Sequence, residues 1–113
     1  MAMTVETMRQ LVALDPADPL SRFGLGKKLL EERGEDEVAL QEAAAHLRHA
    51  NETAPQHLAT YHVLADVLVR LKQFGEAREV LMRGIAAVDK AGGGMGRDLG
   101  PVMRGMLANL PEQ

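Results

Sequence analysis

The chain has 113 residues, no cysteine, and 13 basic against 16 acidic side chains, for a net charge of −3. That length suits one small domain, the lack of cysteine excludes disulfides and thiolate chemistry, and the interspersed signs argue against a nucleic-acid surface, which needs a basic stripe. No apolar run approaches the roughly 20 residues of a membrane span, and the opening MAMTVETMRQ lacks the basic region and apolar core of a signal peptide. A cytoplasmic protein without membrane or nucleic-acid partners is therefore expected. Ala, Leu, Glu and Arg are abundant, β-branched runs are absent, and the aromatics are Phe23, Tyr61 and Phe74. This composition favours helix throughout.

Thr4 to Leu14 reads as the first helix, with Thr4 as its N-cap and Val5, Met8, Leu11 and Val12 as its apolar stripe. Pro16 disfavours the helical state at Asp15 and stops it there. Asp18 caps a second helix, Pro19 to Arg33, and Pro19 sits in its first turn, where a missing N–H is harmless. Its apolar residues are Leu20, Phe23, Leu25, Leu29 and Leu30. Gly24 and Gly26 flank Leu25, but the spacing is incomplete for a phosphate-cradling turn and no strand precedes it. Close helix packing accounts better for Gly26. Gly34 is a turn, and Glu35 or Asp36 caps a third helix running to Asn51, with Leu40, Ala43, Ala44, Leu47 and Ala50 inward.

After a linker at Asn51 to Pro55 comes Tyr61 to Gly84, two amphipathic helices around a short polar turn. Leu64, Ala65 and Leu68 share a face of the first; Ala77, Leu81 and Gly84 share a face of the second. The second helix is expected to end near Val88 or Lys90. Ala91 to Gly96, AGGGMG, is the most flexible stretch, because consecutive glycines do not hold a helix interior. A last helix spans Arg97 to Leu110, interrupted or begun at Pro101, with Val102, Met103, Met106, Leu107 and Leu110 on its apolar side.

The order Tyr61, Leu64, Ala65, Leu68, Ala77, Leu81 resembles the tetratricopeptide repeat family. Leu25, Gly26, Leu29, Ala43, Leu47, Ala50 and Pro55 echo it one repeat earlier, and Leu11 to Pro16 resembles the end of a second helix. Arg22 stands where the family has an aromatic, and Gly84 and Asp89 stand at its last Ala and Pro. The resemblance implies an all-α fold: antiparallel helical hairpins stacked as a short right-handed solenoid of about six helices. It divides residues 1–113 into a half repeat at 4–15, a first full repeat at 19–55, a second at 57–90 and a capping helix at 97–110. Leu25 to Leu64 spans 39 residues against about 34 for the family. The surplus falls between Leu29 and Ala43 and implies an enlarged hairpin tip. That tip is acidic, with Glu31, Glu32, Glu35, Asp36 and Glu37. It reads as a solvated cap or as a recruiter of a basic partner.

Nothing in the sequence marks catalysis. His46 and His49 share a helix face, but zinc needs three or four converging ligands and no paired-Cys or HExxH element is present. The lone serine, Ser21, has no nucleophile-elbow context. No enzyme activity, cofactor or metal is expected. The family resemblance instead implies binding of a protein or peptide in the concave groove lined by the first helix of each hairpin. Carried onto this chain, the groove positions include Phe23, Lys27, Leu30 and Glu31, then His62, Asp66, Val69 and Arg70. Lys27, His62 and Arg70 could meet a carboxylate, and Phe23, Leu30 and Val69 an apolar side chain. The family's carboxylate clamp also needs asparagines, and none lies in either first helix. The alternative is a structural role, self-association as a homo-oligomer through apolar faces or the last helix.

Overall fold

The computed structural model describes residues 3–92 and 94–111. Six helices follow one another: α1 Val5–Leu14, α2 Pro19–Arg33, α3 Glu37–Thr53, α4 Leu58–Arg70, α5 Phe74–Ala91 and α6 Gly94–Ala108. The first three begin at side-chain caps that occupy orphan backbone donors. Thr4 Oγ1 accepts from the Thr7 N–H at 3.0 Å. Asp18 Oδ1 accepts from the Leu20 N–H at 3.1 Å, and Asp36 Oδ1 from the Val38 N–H at 3.2 Å. The starts of α4 and α5, at His57 and Gln73, have no such side-chain bond.

α2 pairs with α3 and α4 with α5 as antiparallel hairpins; α1 packs on α2, and α6 on α5 and the flank of α4. This is an all-α stack of successive helix pairs, a short solenoid. α4 lies at its centre, touching α2, α3, α5 and α6. Its burial therefore extends past the Leu64, Ala65 and Leu68 stripe to Thr60, Val63 and Val67 on other sides. The Thr60 hydroxyl is satisfied by His57 Nδ1 at 2.8 Å. Leu25, Leu29, Ala43, Leu47, Ala77 and Leu81 are all fully buried, and Met103 of α6 closes the far end of the same core.

The surplus of the first hairpin is helical and not a longer loop. α2 runs from Leu29 to Arg33 where α4 stops at Arg70, two residues after Leu68. α3 likewise starts further before Ala43 than α5 does before Ala77. The turns themselves, residues 34–36 and 71–73, are equally short. The first hairpin thus projects past the second. Lys72 in the shorter turn adopts φ 60°, a left-handed conformation disfavoured for a residue with a Cβ. α6 begins at Gly94, earlier than Arg97, and continues through Pro101. Gly92 ends α5 at φ 65°, so the chain does break in the glycine run; Gly93 lies outside the described residues. Among those residues, no helix is long and apolar enough to cross a membrane.

The second helices are strapped together by arginines. Arg9 of α1 makes a bidentate pair with Glu42 of α3, at 2.9 and 2.7 Å. Arg48 of α3 does the same with Glu76 of α5, at 2.7 and 2.8 Å, and also reaches Gln73. Forked guanidinium–carboxylate geometry fixes orientation as well as distance, although solvent screening leaves such half-exposed pairs little net stabilisation.

Candidate functional site

Leu30 and Glu31 at the end of α2 and Asp66 and Arg70 of α4 line one open cleft of about 810 Å³ under the projecting tip. The cleft exists because the first hairpin outreaches the second, leaving a ledge beside the last turn of α4. Arg70 Nε donates to Asp66 Oδ1 at 3.0 Å, one helical turn back. Its Nη1 donates to the Gly34 carbonyl at 3.2 Å. Gly34 permits that approach, since a Cβ there would lie 2.7 Å from Arg70 Nη1. Arg70 is therefore a tether between α4 and the neighbouring turn, with its charge already answered by Asp66. The cleft lining carries Glu31, Glu32, Glu35, Asp36 and Asp66 against Arg33 and Arg70, and Arg33 itself reaches Glu6 at 3.2 Å. The balance is acidic, which favours a cationic visitor over the carboxylate that Arg70 in isolation would suggest.

The other residues expected in a groove lie outside this cleft. Phe23 packs edge-on against the His57 ring, centroids 4.7 Å apart at 67°, and is half-buried on the core. Val69 also packs against the core. Lys27 is exposed and His62 half-buried.

His46 sits in a polar chain. Arg22 Nη1 donates to its Nδ1 at 3.3 Å, and its Nε2 faces Glu42 Oε2 at 3.5 Å. A guanidinium only donates, so Nδ1 is unprotonated and the proton resides on Nε2, toward Glu42. Burial holds the imidazole below the ordinary histidine range, against the pull of Glu42. The Arg9 hydrogen bonds hold Glu42 below the usual carboxylate range, and the Arg48 hydrogen bonds do the same for Glu76. Among the described residues, no group of three or more His, Asp or Glu converges to hold a metal ion.

These shifts all make acid destabilising. Below about pH 6.5 the unfolded chain protonates His46 while the folded one resists, so stability falls with pH. The contributions of Glu42 and Glu76 are fully present above about pH 4.3 and are lost as pH drops through their lower folded values. The thermal midpoint should decline from about pH 7 to 5.5, and more steeply below about 4. His46→Gln should flatten the upper step and leave the lower one. An unchanged upper step in that variant would remove His46 from the account.

A second recess was not foreseen from the sequence. Leu58 and Tyr61 of α4 face Arg83, Ala86, Ala87 and Lys90 of α5 across about 540 Å³. Its signal was available: two cations seven residues apart on one helix face, with small residues between them.

The tetratricopeptide repeat family model matches residues 35–91, which span the second helix of the first hairpin and all of the second hairpin. No curated protein matches the chain significantly.

Proposed function

From the premise that this chain belongs to the tetratricopeptide repeat family, we propose that it is a non-catalytic interaction module binding a protein or peptide in the groove along α2 and α4. The observation that carries this reading is the open cleft at the tip end of that groove, with Leu30 at its apolar wall and an acidic lining around Asp66. Its charge fits a segment that places a lysine or arginine near Glu31 and Asp66. Lys27, one turn back from Glu31, fits an acidic or polar residue further along the same segment.

Selection from a random phage-displayed peptide library on the purified chain tests this. Enriched peptides should carry basic side chains and bind the Glu31→Lys, Asp66→Lys double variant at least about tenfold more weakly, a loss of about 1.4 kcal/mol. Failure to enrich, or equal binding by the double variant, would sink the groove reading. A second reading, self-association, draws on the exposed Met3, Leu11 and Leu20, which line one recess between α1 and α2. Sedimentation separates the two, since only self-association makes the mass rise with concentration.

A further inference from the structure

The recess beside α5 has the opposite character to the tip cleft. Its walls are Leu58, the Tyr61 ring, Ala86 and Ala87, its cations are Arg83 and Lys90, and no Asp or Glu lines it. Arg83 is already fixed in place. Its Nη1 donates to Asn51 Oδ1 at 2.9 Å, and its guanidinium lies 5.9 Å from the Tyr61 ring centroid. Neither contact supplies a counter-charge: Asn51 is a neutral, buried amide, and the Tyr61 hydroxyl is spent on the Pro55 carbonyl at 2.6 Å. Among the described residues, neither Arg83 nor Lys90 forms an ion pair. A guanidinium held in position gives up little further freedom when a carboxylate arrives. Small side chains between two such cations leave room for an aliphatic group over Ala86 and Ala87, where the largely buried Tyr61 ring forms the floor.

We infer that this recess docks an extended acidic peptide segment, its aliphatic side chain against Tyr61 and Ala87 and its carboxylates on Arg83 and Lys90. The site shares no residue with the tip cleft and lies between the start of α4 and the last turns of α5, at none of the expected groove positions, so it does not rest on the groove reading. Two surfaces of opposite sign would let one small domain hold two different segments at once.

The probe is a fluorescein-labelled octapeptide of alternating Leu and Glu, titrated against the full chain by fluorescence anisotropy at low salt. It should bind, and Lys90→Glu or Ala86→Glu should each weaken binding about tenfold. Both positions are exposed, and circular dichroism verifies that the fold is retained. Replacing every Glu of the peptide by Gln, or every Leu by Ala, should abolish binding. Asp66→Lys, which alters the tip cleft alone, should leave it unchanged. The inference is overturned by absent binding to the wild-type chain, by equal binding of the Lys90→Glu and Ala86→Glu variants, or by loss of binding in Asp66→Lys. Tighter binding of decanoate than of the peptide would overturn it as well, since the recess would then serve a free fatty acid.

Discussion

Gly26→Val should destabilise the domain by about 3 kcal/mol, the upper end of what overpacking a core costs. A Cβ at position 26 would lie 2.5 Å from Leu47 Cγ and within 3.0 Å of both its methyl carbons. Leu47 is itself fully buried, so it has no free volume to swing into, and the α2–α3 pair must part. Two effects oppose each other. Valine gains a few tenths of a kcal/mol over glycine in helix propensity, but this is small against steric clash on a close-packed wall. Ala65 holds the corresponding place in the next hairpin, where it is fully buried too. Gly84 meets a similar constraint: a Cβ there would lie 2.7 Å from both Tyr61 Cβ and Met103 Sδ. The methionine can yield, but Tyr61 Cβ sits next to the backbone. Urea denaturation followed by circular dichroism reads the loss as a lower midpoint at constant slope. An unshifted midpoint for Gly26→Val would mean that α2 and α3 are not in close contact at this point.

Close contact of this kind was legible in the sequence because periodicity reports burial directly. Leu25, Leu29, Leu47, Leu64, Leu68 and Leu81 fall on stripes that the chain repeats, and all are buried to within 1%. The caps Thr4, Asp18 and Asp36 were legible for a similar reason, since a local side-chain bond leaves a local signature. What lay hidden depends on geometry beyond the local window. The five surplus residues could be counted, but whether they formed loop or helix depended on how both helices extend past the neighbouring hairpin. The straps Arg9–Glu42 and Arg48–Glu76 join residues 33 and 28 apart in sequence, and long flexible side chains leave no periodic trace.

The same division runs through the candidate site. Leu30, Glu31, Asp66 and Arg70 line one cleft, and their common face follows from helix register. The role of Arg70 did not follow from register. Its reach to the Gly34 carbonyl gives a candidate ligand-binding cation a tethering role as well, and with Asp66 beside it the cleft lining is acidic on balance. Arg83 and Lys90 carry no mark in the family resemblance, which places binding on the first helices, and both are exposed on α5. Their significance lies in a recess lining that holds no Asp or Glu, which only the assembled surface displays.

Leu68→Ala should cost about 2–5 kcal/mol and lower the stability of every helix together. Leu68 is fully buried on α4, the helix against which α2, α3, α5 and α6 all pack. Truncation removes apolar area and leaves a cavity whose walls belong to different hairpins, so its closure would require several helices to move at once. A domain of this size has about 5–15 kcal/mol in total, so the variant spends a large part of the margin. Because no single hairpin can bury both of its faces alone, the repeats depend on their interfaces, and the transition should stay single while its midpoint falls. Leu14→Ala is the contrast. Leu14 is 81% exposed at the end of α1, and its loss should move stability by about 0.5 kcal/mol or less. Chemical denaturation of both variants, followed by helicity and by Tyr61 fluorescence, checks the pair. Two resolved transitions in Leu68→Ala, with Tyr61 reporting only the later one, would show that the hairpins fold independently and that α4 is not the element joining them.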